Sequence, residues 1–176
     1  MKKFFFSSVF FFYLFIAHAL DLEAGLWKIQ STVEMDGKKY DPQNEYKKML
    51  SAVPADQRKK VEEALQKSLK KQQMSLNNDG SYKICLSLES LKNPQAFTPQ
   101  DKNCTFKVQE KSKKILRTLF SCKNDSSGSW EWKALDRKNF QSIRVNKNQQ
   151  GYESKMIGMG KFMSSSCGSL KAIKSL

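Results

Sequence analysis

The amino-acid sequence predicts a mainly β (α+β) fold. The expected form is a single curved antiparallel meander sheet or barrel of about seven strands, with an amphipathic two-helix insertion after the first strand. Three observations predict it. Segments of alternating apolar and polar residues recur, separated by short polar turns. One early stretch switches to helical spacing and carries Pro42 and Pro54. Four cysteines, Cys85, Cys104, Cys122 and Cys167, follow an N-terminal segment laid out like a secretory leader, which predicts disulfide bridges in an oxidising compartment.

The leader is read first because it changes the composition. Lys2 and Lys3 form a basic start, Phe4 to Ile16 is apolar apart from Ser7 and Ser8, and Ala17-His18-Ala19 supplies small residues at the cleavage positions. This predicts a signal peptide over 1–19, cut after Ala19, and a single disulfide-bonded domain over 20–176. The run is shorter than the roughly 20 apolar residues a membrane span needs. No second apolar span follows, so a periplasmic or secreted protein is expected, and not an integral membrane protein. Without the leader, 157 residues remain, with 29 basic against 17 acidic side chains and no histidine. Ser-His-Asp and Cys-His catalysis, and imidazole-ligated metals, are thereby excluded from the mature chain.

From Leu26 to Met35 the pattern alternates: Trp27, Ile29, Ser31, Val33 and Met35 share one face, and Asp36-Gly37 ends the strand with a turn signal. Asp41-Pro42 then reads as an N-cap and first helical residue. Tyr46, Met49, Leu50 and Val53 recur at helical spacing, Pro54 opens a second helix, and Val61, Leu65, Ser68 and Leu69 make its stripe. Such a Lys-rich, one-sided hairpin suits a membrane surface. Its stripe holds no Trp or Phe, which favours packing on the chain's own sheet.

After the Asn77–Gly80 turn, Tyr82, Ile84 and Leu86 alternate, and Ser87 caps a short helix that stops before Pro94. Thr98-Pro99-Gln100-Asp101 resembles a capping box around one more turn. A hairpin centred near Lys113 sets Cys104 opposite Cys122, Phe106 opposite Phe120 and Val108 opposite Thr118, gathering the apolar side chains on one face. Strands over Ser129–Leu135, Phe140–Asn146 and Tyr152–Met163 complete the meander. The register favours a Cys104–Cys122 bridge, leaving Cys85 with Cys167. A Cys85–Cys104 bridge, closing a modest loop over the short helix, stays open as an alternative.

The ordered signposts resemble a family of small exported Gram-negative bacterial proteins catalogued as a domain of unknown function. They are a leader, Gly25-Leu26-Trp27, a Pro-bearing helical segment over Asp41–Gln73, Ile84-Cys85-Leu86, the central Cys104 and Cys122, Gly128, and the closing Cys167-Gly168. The chain departs from the pattern where Ser164-Ser165-Ser166 replaces a Gly-containing approach to the last Cys, and it has fewer Met in the helices. The resemblance implies a bacterial periplasmic address and brings no activity, cofactor or catalytic residue.

Candidate sites are few. Glu131, Asp136 and Glu153 show no sign of a pair aimed across a cleft, as a glycosidase requires. There is no G-x-S-x-G elbow, and Gly158-Met159-Gly160-Lys161 lies in a strand pattern, where glycine marks a bulge or close backbone approach. No enzyme activity, metal or cofactor is expected. Trp27, Trp130, Trp132, Tyr152, Met156 and Phe162 share one sheet face and are candidates to line an apolar pocket for a hydrophobic ligand; ordinary core packing is the favoured alternative. Of the 31 basic residues only four are Arg. Arg is the bidentate reader of phosphates and base edges, so nucleic acid is not an expected partner. Envelope lipid, lipopolysaccharide or an acidic glycan fits the charge better. The expectation is therefore a non-catalytic binding or envelope-associated module, the alternative being a small carboxylate-dependent hydrolase or isomerase.

Overall fold

A computed structural model describes residues 20–71, 73–77, 79–93 and 103–173. The leader and the expected Thr98–Asp101 turn lie outside the described residues. The elements are β1 (Gly25–Met35), β2 (Lys38–Tyr40), α1 (Pro42–Ala52), α2 (Ala55–Lys71), β3 (Met74–Leu76), β4 (Tyr82–Leu86), α3 (Leu88–Lys92), β5 (Cys104–Lys111), β6 (Ile115–Cys122), β7 (Ser127–Asp136), β8 (Asn139–Lys147) and β9 (Glu153–Ser164).

The nine strands form one antiparallel sheet in the order β3-β4-β1-β9-β8-β7-β6-β5, with β2 also paired to β1. The run from β5 to β9 is the expected meander, and β9 then pairs along most of β1, so the first and last long strands are neighbours. On its other edge β1 pairs with β4 through Gly25–Ile29 and with β2 through Val33–Met35. The sheet does not close into the alternative barrel, because β3 and β5 are separate ends of the strand order.

Two strands exceed the expected seven. β2 and β3 have three residues each, too few to display a period of two. β2 exists because Asp36 and Gly37 both take positive φ, 51° and 73°, the pattern of a two-residue hairpin turn that sends the chain straight back.

The helices start as expected. The Asp41 side chain accepts from the Gln43 N–H at 2.9 Å, and Pro42 occupies the first turn of α1. Their packing is looser than an apolar stripe on the sheet would give. α1 buries no residue; in α2, Leu69 is buried while Val61 and Leu65 are half-buried. Gln66 Nε2 donates to the Leu76 carbonyl at 2.9 Å, so α2 is tied to β3 at one end of the sheet. In α3, Ser87 and Ser90 cap reciprocally: Ser90 N–H donates to Ser87 Oγ, and Ser87 N–H to Ser90 Oγ.

The β5–β6 register matches the expectation at all three pairs, and the bridges are Cys104–Cys122 and Cys85–Cys167. The Cys85–Cys104 alternative is not formed.

The core lies on one face. Trp27, Ile84, Leu86, Leu116, Trp132, Ala134 and Phe140 come from β1, β4, β6, β7 and β8 and form one buried cluster with Leu20, Leu22 and Leu91. Among the described residues no second sheet packs opposite, and segments outside the sheet cover one end of this face. The Asp21 N–H donates to the Lys113 carbonyl at 2.7 Å and the Glu23 N–H to the Arg137 carbonyl at 2.8 Å. Those acceptors sit in the β5–β6 and β7–β8 turns, at the same end of the meander. Trp27 Nε1 donates to the Glu23 carbonyl, fastening the N-terminal segment to the core beneath it.

Candidate functional site

The core-bearing face divides into a packed end and an open end. At the packed end, Trp27 and Phe140 are fully buried. Phe140 stands 5.0 Å from Trp27 and 4.7 Å from Trp132 between ring centroids, and Trp27 stands 5.7 Å from Phe162. These rings fit because Gly160, opposite both Ile29 and Phe140, has no Cβ: one there would overlap the Phe140 ring. The expected close approach at Gly158-Met159-Gly160 is this contact.

The open end begins where the same strands continue past that cluster. Cross-strand pairing aligns Thr118, Trp130, Arg144 and Met156 on that face, with Phe120, Gly128 and Asn146 in the next row. Gly128 has the same role as Gly160, since a Cβ there would lie 2.7 Å from the Phe120 ring. With that ring lowered onto the sheet, Arg144 enters the layer. Its guanidinium carbon lies 5.5 Å from the ring centroids of both Phe120 and Trp130, within cation–π range. Nε donates to Asn146 Oδ1 at 2.9 Å. Burial pulls the Arg144 pKa below its ordinary value; a guanidinium remains charged nonetheless.

A cleft of about 230 Å³ opens beside it, lined by Phe106, Phe120, Ser126, Arg144, Asn146 and the Cys104–Cys122 bridge. A second cleft of about 230 Å³ shares Ser126 and Asn146 and adds Met35, Tyr152, Ser154, Lys147 and the carboxylate residues Asp36 and Glu153. The lining of the first holds no carboxylate.

The four arginines are not equivalent. Arg58 donates to the Val53 and Ser51 carbonyls across the α1–α2 junction. Arg117 pairs with Glu110 and Glu131, and the Glu131 hydrogen bond holds its pKa above the ordinary value. Arg137 pairs with Glu23 and, at 3.8 Å, with Asp21. Arg144 alone among them has no carboxylate or backbone-carbonyl partner among the described residues.

By register five of the six candidate pocket residues lie on one sheet face, Tyr152 standing just before β9, and their surroundings differ. Trp27 and Trp132 are buried in the core, and Phe162 packs against it. Trp130 also packs against the core, 5.8 Å from Trp132 between ring centroids, and borders Arg144 toward the open end, while Tyr152 and Met156 lie exposed. Neither cleft is lined by Trp27, Trp132 or Phe162. Residues the sequence reading passed over are Arg144, Phe106, Phe120, Ser126 and Asn146. A signal existed for Arg144: it lies four residues after Phe140 in an alternating strand, hence on the core face.

The carboxylates do other work. Glu131 faces away from Trp130 and Trp132 and pairs with Arg117. Asp136 accepts from Asn139 and from the Lys138 N–H in the β7–β8 turn, which lowers its pKa. Among the described residues, no group of three or more His, Cys, Asp or Glu is arranged to hold a metal ion.

Fold and site together define a small, disulfide-bridged, open antiparallel sheet with one face packed at one end and, at the other, an arginine between two aromatic rings. The chain belongs to the family described as "Protein of unknown function (DUF3617)", whose model matches residues 22–168, a span that takes in all nine strands and both bridges. No curated protein and no solved structure matches it.

Proposed function

We propose that this chain is an exported, non-catalytic binding module of the bacterial envelope, and that the open end of the core-bearing face engages an apolar or anionic envelope molecule. The observation that carries the reading is Arg144, a half-buried cation within cation–π range of two aromatic rings and bordering a cleft without carboxylates. A cation is costly to withdraw from water without a partner. Placing one there suits a ligand that brings both apolar surface and negative charge. The two disulfides support an oxidising address, as does the leader-like start. Among the described residues no helix is long and apolar enough to cross a membrane.

Native mass spectrometry of protein purified from the envelope under mild conditions tests this. The expected result is a second species heavier by the mass of one lipid or glycolipid, lost on delipidation. Recovery of the unliganded mass alone, with no change on delipidation, would count against the reading.

A further inference from the structure

We infer that Arg144 is an anion-recognition residue, and that the open end takes a single-chain carboxylate amphiphile, its carboxylate on Nη1 and Nη2 of Arg144 and its alkyl chain along Phe106 and Phe120. This rests on the binding reading above and specifies the ligand class for the same site.

Geometry carries the assignment. Asn146 takes Nε, and no described residue takes Nη1 or Nη2. The planar end of the guanidinium is therefore the part with unused donors, and its fork matches a carboxylate bidentately. The flanking rings of Phe120 and Trp130 restrict the guanidinium plane without consuming those donors. The remaining wall is Phe106, Phe120, the Cys104–Cys122 bridge and one hydroxyl residue, Ser126. One cation in a cleft free of carboxylates balances a monoanion. A phosphate monoester, carrying nearly two charges at neutral pH, would be left undercompensated. At about 230 Å³ the cleft lies below the roughly 300–1,000 Å³ typical of drug-sized sites, so it seats the head group and first carbons of one chain, the rest of which runs out along the open end.

The test uses the full mature chain with palmitate and with hexadecanol, the same chain without charge, each kept monomeric. Binding is read by calorimetry and by quenching of tryptophan fluorescence with a brominated fatty acid. The wild type is expected to bind palmitate more tightly than hexadecanol. Arg144→Met should weaken palmitate roughly tenfold or more and leave hexadecanol unchanged. Arg144→Lys, which keeps the charge but not the fork, should fall between, and it serves as the second variant if Arg144→Met fails to fold. Unchanged palmitate affinity in either folded variant overturns the role of Arg144 while leaving a binding module intact. If the wild type binds neither compound, the apolar-ligand reading fails as well. Tighter binding of a single-chain phosphate monoester than of palmitate would overturn the carboxylate assignment alone.

Discussion

Gly160→Ala tests whether the packed end depends on one aromatic ring lying flat on the sheet. An added Cβ would meet Phe140 Cδ1 at 2.6 Å, with two more ring atoms nearer still. The ring has nowhere to retreat: Trp27 and Trp132 flank it at 5.0 and 4.7 Å, and Phe140 itself is fully buried. Overpacking typically costs about 1–3 kcal/mol, and a ring wedged between two indoles belongs at the upper end. A loss of about 3 kcal/mol lowers Tm by roughly 6–12 °C for a chain of this size. The assay is urea unfolding followed by tryptophan fluorescence, where the midpoint should fall without a change in slope. Phe140→Leu makes the decisive double-mutant cycle, because a smaller side chain leaves room for the new methyl. In that background Gly160→Ala should cost less than about 1 kcal/mol, a coupling near 2 kcal/mol. Gly151→Ala is the control, at φ 84° with nothing within 4 Å; it should lose stability through backbone strain alone, with no coupling to Phe140. Equal cost of Gly160→Ala with Phe140 or Leu at that position would refute the reasoning.

Other outcomes follow from the same contacts. Leu22→Ala removes a side chain buried under the N-terminal cover and should cost about 2–5 kcal/mol, with red-shifted tryptophan emission as Trp27 and Trp132 gain water. Bridges separated by 82 and 18 residues correspond to about 4.5 and 3 kcal/mol of loop-closure stabilisation. Paired Ser replacement of Cys85 and Cys167 should therefore lower the unfolding midpoint more than replacement of Cys104 and Cys122. Asp79 accepts from Lys28 Nζ at 2.6 Å and from the Ser81 hydroxyl and N–H, and these bonds hold its carboxyl well below the usual range. A depressed folded pKa stabilises fully above the ordinary aspartate value, about 4, and that stability is lost as pH falls below it. Asp79→Asn should therefore flatten the acid limb of Tm against pH; an unchanged limb would show that the cluster does not govern it. Amide protons of α1, which buries no side chain, should exchange well before those of β8 in a hydrogen-exchange time course.

The meander was legible because its register has one solution that gathers apolar residues. Shifting β5 against β6 by one residue would turn Phe106 and Phe120 to opposite faces, so the pairing of Cys104 with Cys122 followed from the pattern. Capping was legible for a similar reason: Asp41-Pro42 and Ser87 are local signals that distant contacts do not override. β2 and β3 were not legible, since three residues show no period. Nor was the way the strand face would be shared between core and cleft. Alternation assigned Trp27, Trp132, Met156 and Tyr152 to one side, but distance along the strand decides which of them the cover reaches. Arg144 escaped notice because charge was read by composition, as a Lys-rich surface, and not by the parity that sets it on the face of Phe140.

That division of the face has a geometric cause. β8 has nine residues, about 30 Å of strand. The N-terminal cover crosses the strands from the Lys113 turn to the Arg137 turn, at one end of that length. Phe140 lies near that end. Arg144, four residues further along β8, lies about 13 Å beyond Phe140. The chain's own N-terminal segment thus reaches one end of the face and stops. Beside small and aliphatic neighbours in the same rows, Ser142, Gly158, Thr118 and Met156, the strands supply a cation, two aromatic rings within cation–π range of it, an amide that accepts from its Nε, and a glycine beside one ring. Each of these restrains Arg144, and none neutralises its charge. That is the arrangement expected of a preorganised anion site, and it makes the Arg144→Met comparison of a charged with an uncharged alkyl chain the measurement on which the functional reading turns.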